Sequence, residues 1–183
     1  IAFSSAADGA RLLSSASARR TAVGQIVGCV REYSSTGLHL DFEYLSPARA
    51  TDIAVFIGEL RDAVKSHDRS ISVSMALFPQ VEFPSKWAGA HDFARLAPLL
   101  DEAVLMCYDY HRKGTAPGPV VDVGWAERNI LLALRFFKPE NLWLGVPAYG
   151  YAWSGSGVEV VSARAGVSQA ARFGAVRHRS GTL

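Results

Sequence analysis

In the run Gly37-Leu38-His39-Leu40-Asp41-Phe42-Glu43, an imidazole and two carboxylates fall at every second position. On a β-strand that spacing turns His39, Asp41 and Glu43 to one side and Leu38, Leu40 and Phe42 to the other. The apolar set suits packing on helices; the polar set suits the interior of a barrel. Buried carboxylates are costly unless paired or hydrogen-bonded, so a core built for stability alone would not choose them. Two residues along a strand separate Cα atoms by about 6–7 Å. An ionised Asp41 at that distance raises the proton affinity of Glu43, and burial raises it further. A carboxyl held protonated near neutral pH can protonate a departing glycosidic oxygen. Glu43, nearer the C-terminal end of the strand, is the candidate acid, and Asp41 its orienting, charge-stabilising partner. A satisfied polar cluster with no catalytic role is the plainer alternative.

Later strand ends add to this set. Met106 and Tyr108 share a face, and a hydroxyl at Tyr108 could donate to a substrate carbonyl. Gly145, Pro147 and Tyr149 share another, where small residues leave room and Tyr149 offers a ring for sugar stacking. Taken singly, such aromatics are more often core than site; their recurrence at strand ends is the signal.

The elements that must position these residues alternate between short β-like runs and longer helical ones, the pattern of βα units around a parallel sheet. Ile1-Ala2-Phe3 reads as the tail of a strand. Ser17 to Tyr33 reads as a helix with Val23, Ile26, Val27 and Val30 at helical spacing. Leu38 to Tyr44 reads as a strand. Pro47 opens a helix with Ile53, Phe56, Ile57, Leu60 and Val64 on one face. Ser70 to Leu77 and Ala103 to Tyr110 read as strands, with a short helix around Asp92 to Ala97 between them. The loop from His111 to Gly124 has no periodicity. A helix from Trp125 to Phe137 leads to a strand from Leu142 to Tyr149. Ser154 to Gly157 reads as a flexible link, followed by a helix from Ser162 to Phe173. Val104-Leu105-Met106 and Leu142-Trp143-Leu144 are apolar enough for parallel strands buried on both faces.

Pattern alone does not choose between an open doubly wound sheet and a (β/α)8 barrel. No G-x-G-x-x-G or Walker-type loop follows any strand, and the polar residues gather at C-terminal strand ends, where barrel enzymes keep their active sites.

At 183 residues the chain suits a single domain, and 49% apolar with 20% charged residues is the composition of a soluble globular protein. A net charge of +2, with Lys and Arg scattered, argues against nucleic acid as a partner. The basic stretch Arg172 to Arg179 reads as a solvated face. Cys29 and Cys107 sit in apolar stretches and read as buried free thiols. No apolar run approaches the ~18 residues needed to span a bilayer, and no signal peptide is visible in a chain that begins at Ile1.

Three of these segments resemble glycoside hydrolase family 18, the chitinase-like (β/α)8 barrels. The family's D-G-x-D-x-D-x-E is matched by Thr36-Gly37-Leu38-His39-Leu40-Asp41-Phe42-Glu43. Its M-x-Y-D is matched by Met106-Cys107-Tyr108-Asp109, and its G-x-P-x-Y-G by Gly145-Val146-Pro147-Ala148-Tyr149-Gly150. The D-F-E form and the Leu105-to-His111 run look most like the branch with spore-germination and peptidoglycan-lytic glycosidases. The resemblance implies a retaining mechanism in which the substrate's own acetamido group is the nucleophile. Glu43 would protonate the leaving oxygen and then activate water. Asp41 would hold the acetamido nitrogen and Tyr108 the acetamido oxygen, with Asp109 lining the same subsite. His39, Met106, Tyr110 and Tyr149 complete the substrate-binding set. The substrate would be a polysaccharide or oligosaccharide containing N-acetylglucosamine, as in chitin or peptidoglycan, with no metal or organic cofactor. The full-length protein would be an extracellular or cell-envelope monomer.

Two positions depart from the family pattern, Thr36 and His39, where the family has Asp. A neutral His39 would hydrogen-bond and orient Asp41; a protonated one would weaken the coupling that keeps Glu43 protonated. A complete barrel needs about 250 residues. Residues 1–183 are therefore expected to form an incomplete (β/α)8 TIM barrel, from the end of strand 3 to after strand 7. Its two exposed edges would favour aggregation, leaving the isolated chain poorly soluble and inactive. A carbohydrate-binding relative without catalysis is the alternative, and loss of the acid would mark it; Glu43 is present.

Overall fold

The computed structural model describes residues 6–155 and 157–175. The expected strand at Ile1 to Phe3, and the end of the basic stretch at Arg177 and Arg179, lie outside the described residues. Four parallel strands form the central sheet in sequence order: β1 (Gly37–Leu40), β2 (Ser72–Leu77), β3 (Glu102–Leu105) and β4 (Leu142–Leu144). The register runs Leu40 against Met75, Leu77 against Leu105, and Leu105 against Leu144. All four strands therefore end along one edge. Among the described residues the sheet is not closed into a barrel.

Helices cover one face. The first two are α1 (Ala6–Ser14) and α2 (Ala16–Glu32); the Ser15 side chain caps α2 by accepting from Ala18 N–H. A 3₁₀ turn (Pro47–Arg49) leads into α3 (Ala50–His67). The predicted apolar stripe of α3 is buried in full: Ile53, Phe56, Ile57, Leu60 and Val64 are each at most 1% exposed. Each such side chain contributes about 1.5–3 kcal/mol when removed from water, and truncating Leu60 to Ala would cost about 2–5 kcal/mol. Leu38, Leu40 and Phe42 pack into the same core, with Phe42 edge-on to Phe56 at 5.7 Å. The parity expected for β1 thus holds: its apolar side chains face the helices, while His39, Asp41 and Glu43 are not part of that core.

The strands are shorter than the sequence suggests. Regular pairing stops at Leu40 and Leu105, and residues 42–44 and 106–110 continue as irregular chain. Between β2 and β3 lie α4 (Ser85–Ala88) within the expected loop and α5 (Phe93–Leu96), capped by Asp92. α6 (Val123–Ala133) is capped by Asp122, whose carboxylate accepts from Trp125 N–H at 2.8 Å.

The larger correction is at the C-terminal end. The expected strand from Leu142 to Tyr149 is two elements: β4 stops at Leu144, and β5 (Tyr149–Ser154) pairs antiparallel with β6 (Gly157–Ser162). Where a flexible link was expected, Ser154 and Gly157 pair with each other at the end of that hairpin. α7 (Ala163–Arg172) follows, capped by Ser162. Burial also differs. Among the described residues β4 pairs only with β3, so Trp143 is 58% and Leu144 46% exposed rather than buried on both faces. Cys107 is buried and burial pushes its thiol up to about 12, but Cys29, on α2, is exposed. Both cysteines are free.

Candidate active site

The C-terminal edge of the sheet opens into a pocket of ≈ 360 Å³ lined by Glu43, Met106, Tyr108 and Asp109. These four come from the chain just past β1 and β3. Irregular backbone there lets successive side chains turn into one space. Two residues at the pocket hold left-handed backbone conformations without being glycine: Tyr44 at φ 58° and Asp109 at φ 60°. Such positions cost energy and are common at functional sites.

Glu43 is half-buried, and burial raises its pKa first, followed by the charges of Asp41 and Asp109, against a hydrogen bond from Tyr44. The direction matches the expectation from strand spacing, with burial as the larger cause. Asp41 Oδ1 is buried without a hydrogen-bond partner among the described residues. Asp41 does not line the pocket itself. Burial, then the charges of Glu43, Asp41 and Asp109, pushes the Tyr108 hydroxyl up, so it remains a donor at neutral pH. Gly145 lets that ring lie close: a Cβ there would stand 3.0 Å from Tyr108 Cε1 and 3.3 Å from Leu105 O.

Asp109 is fixed from the hairpin. Tyr149 and Tyr151 both donate to its Oδ1, at 2.5 and 2.9 Å. Burial and the bond to Asp109 raise both phenols, that of Tyr151 to about 12. Tyr149 was expected to offer a ring for sugar stacking. Its ring instead meets Tyr108 at 6.4 Å and Tyr151 at 5.8 Å, and it does not line the pocket. Tyr110 is a second correction. Its ring stacks on Trp125 at 4.8 Å and its hydroxyl donates to Glu82 at 3.1 Å, outside the pocket. Strand alternation would have kept Tyr110 beside Tyr108, but the strand ends at Leu105 and alternation ends with it. His39 sits lower on β1, with Nδ1 2.9 Å from Ser74 Oγ. Burial lowers its pKa more than the charge of Asp41 raises it, so the ring is neutral near pH 7.

Several pocket residues were not singled out in the sequence. Trp87, Phe78, Phe83 and Tyr44 form an aromatic wall, with Tyr44 5.6 Å from Trp87 and 5.7 Å from Phe78. Arg112 and Lys113 enter from the aperiodic loop, and Tyr151 from the hairpin. The Tyr-Gly-Tyr-Ala-Trp alternation at residues 149–153 was the available signal for Tyr151. For Arg112 there was none.

Behind the wall, His91 is 1% exposed and joins two strand ends. Its Nε2–H donates to Phe42 O at 2.7 Å, and its Nδ1 accepts from Phe78 N–H at 2.9 Å. Burial lowers its pKa to about 4, against the bond to Phe42. The neutral ring therefore fixes the backbone next to Glu43.

A half-buried carboxyl of raised pKa, two further carboxylates and a tyrosine donor thus gather at the C-terminal edge of a parallel sheet. Residues 4–177 match the sequence model of Glycosyl hydrolases family 18, and the chain belongs to that family. A cortical fragment-lytic enzyme of Bacillus subtilis (strain 168) is 30% identical over 145 residues, 78% of this chain and 33% of that protein. A class V chitinase of Arabidopsis thaliana is 27% identical over 164 residues, 79% of this chain and 41% of that protein. In three dimensions the chain is similar to the Bacillus megaterium QM B1551 spore cortex-lytic enzyme SleL. The TM-score is 0.80 at 23% identity, over 96% of this chain and 42% of that one. The family and its solved structures place the half-open sheet in the α/β-barrel fold class. The chain spans between 33% and 42% of the length of the first curated relatives it matches.

Proposed function

We propose that this chain carries the catalytic acid of a hydrolase that cleaves β-1,4 glycosidic bonds next to N-acetylglucosamine. The observation that carries the reading is Glu43, its proton held by burial and by two neighbouring carboxylates, facing a pocket beside Tyr108. Glu43 protonates the leaving oxygen and, once ionised, takes a proton from water. The substrate's acetamido group is the internal nucleophile, with retention of configuration. Asp41 receives the acetamido N–H on its unpartnered Oδ1 and balances the positive charge that develops. Tyr108 donates to the acetamido oxygen, and Asp109, held by two tyrosines, keeps the field at Glu43 negative.

The active unit is a longer barrel to which this chain contributes four parallel strands. Its short share of the curated relatives supports that view. Relatives named for cortical fragment lysis and for chitin cleavage support a glycan substrate, and an extracellular or envelope location follows from such a polymer. The test is release of product from a chromogenic N-acetylglucosamine oligomer by the full-length protein. Glu43→Gln should lower the rate by ~10²–10⁴-fold. Turnover unchanged in that variant removes the assignment.

A further inference from the structure

We propose that two buried polar side chains outside the pocket divide its positioning between them: His91 sets the acid Glu43, and Asn129 sets the aromatic wall. The proposal rests on the reading of Glu43 as the acid of a glycoside hydrolase. Neither residue lines the pocket, and both are 1% exposed. Regular pairing of β1 ends at Leu40, so residues 42–44 are not held by a strand ladder. The carbonyl of Phe42, one residue before Glu43, accepts instead from His91 Nε2–H at 2.7 Å. One residue after Glu43, Tyr44 is left-handed at φ 58°, a conformation that persists only where its surroundings fix it. His91 is itself placed by its backbone N–H, which donates to Ala88 O at 2.9 Å. Its ring stacks on Phe78 at 5.1 Å, and Nδ1 accepts from Phe78 N–H at 2.9 Å. Both ring nitrogens are thus committed, one to the backbone of the acid and one to the base of the wall.

Asn129, on α6, does for the wall what His91 does for the acid. Its Oδ1 accepts from Gln80 N–H and Val81 N–H, both at 2.8 Å. Its Nδ2 donates to Val81 O at 3.2 Å and to Trp125 O at 3.0 Å, so both ends of the amide are satisfied. Trp125, also on α6, donates from Nε1 to the same Val81 O at 2.7 Å. The segment held in this way continues into Phe83 and Trp87, whose side chains line the pocket. Gln80 closes its base, with Nε2 donating to Phe78 O at 3.2 Å and to Ala88 O at 3.1 Å. The wall therefore follows α6, whereas the backbone of Glu43 follows His91. Rings meet the sugar in the ground state and the transition state alike, so a displaced wall weakens binding. The acid acts only as the bond breaks, so a displaced acid slows turnover.

The full-length protein is assayed on a chromogenic N-acetylglucosamine oligomer, with a melting temperature recorded for each variant. A glutamine amide reaches about as far as Nε2 of histidine, and an asparagine amide about as far as Nδ1. His91→Gln therefore keeps the donor to Phe42 O, and His91→Asn keeps the acceptor for Phe78 N–H. Each loses one hydrogen bond, so stability alone does not rank them. His91→Asn should lower kcat by about tenfold or more with KM within about twofold, because misplacing a reacting group by about 1 Å can cost about 10²-fold. His91→Gln should restore kcat to within about threefold of wild type. Asn129→Leu should instead raise KM about tenfold and keep kcat within about threefold. Equal loss of kcat in the two His91 variants overturns the proposal, as does a loss of kcat without a rise in KM in Asn129→Leu. If His91→Asn does not fold, a kcat in His91→Gln more than about tenfold below wild type overturns it, and recovery there together with the KM rise in Asn129→Leu supports it. Wild-type protein that does not cleave the oligomer overturns the hydrolase reading and the proposal with it, a result distinct from any ranking of the variants.

Discussion

The two edges of the central sheet hold carboxylates in opposite states. At the N-terminal edge Asp101 accepts from Lys65 Nζ at 2.7 Å and from Val73 N–H at 2.8 Å. Burial alone would raise its pKa, but the Lys65 and Val73 hydrogen bonds hold it below the usual value of 3.8. Lys65 is satisfied in turn by Ile71 O and Arg69 O. At the C-terminal edge Glu43 is raised by burial among like charges, and Asp41 Oδ1 has no partner among the described residues. Two carboxylates bound to one sheet therefore differ by what surrounds them. One edge is satisfied and stabilises the fold. The other keeps proton and hydrogen-bond capacity unspent at a cost to stability.

The most forceful way to break this contrast is at Glu43. Beyond its effect on rate, Glu43→Gln should raise the melting temperature at pH 8 and leave it unchanged at pH 4. A carboxyl whose folded pKa lies above 4.5 contributes stability that is lost as pH rises through the folded value. Thermal melts at the two pH values check the sign; destabilisation at pH 8 would contradict it. His91 provides the next largest effect. With a folded pKa of about 4 against 6.5, its neutral ring supports the fold fully above pH 6.5, and that support drains as pH falls toward 4. The full span is about 3 kcal/mol. Denaturant midpoints compared between pH 7 and pH 4 should show it, and His91→Gln should flatten that slope.

Asp101→Asn tests the satisfied edge. It should cost about 1–3 kcal/mol at pH 7, because the substitution removes the charged acceptor shared by Lys65 and Val73. The penalty should shrink as pH falls below 3.8, where the native carboxylate itself protonates. The smallest effect lies at His39. A ring that is neutral near pH 7 charges only on the acidic side, where it would lower the proton affinity of Asp41. His39→Asn should therefore alter the acid limb of the pH–rate profile and leave the alkaline limb in place; superimposable profiles would remove the role.

Much of this was legible because it depends on local periodicity. The α3 stripe and the parity of β1 are set by 3.6- and 2-residue repeats, and both hold residue by residue. The direction of the Glu43 shift was legible too, although burial raises it more than the alternating Asp41 does. What was not legible depends on where a repeat stops. Pairing ends at Leu105, so Tyr108 reaches the pocket while Tyr110 turns to Trp125 and Glu82. The chain leaves β4 at Leu144, so Tyr149 begins a hairpin and bonds Asp109. Arg112 could not be found by pattern, because its loop has no period and its position is set by contact with Trp87 and Phe83.

The double hydrogen bond onto Asp109 has a consequence for divergence. Tyr149 and Tyr151 stand about forty residues downstream, yet both hydroxyls exist to satisfy one carboxylate oxygen. Phenylalanine at both positions would leave that oxygen short of donors beside two other acids, and an apolar residue at 109 would leave two phenols without an acceptor. Substitutions at 109, 149 and 151 should thus be tolerated only together. Aligned relatives should show hydroxyls at 149 or 151 where position 109 is acidic, and phenylalanine at both where it is not.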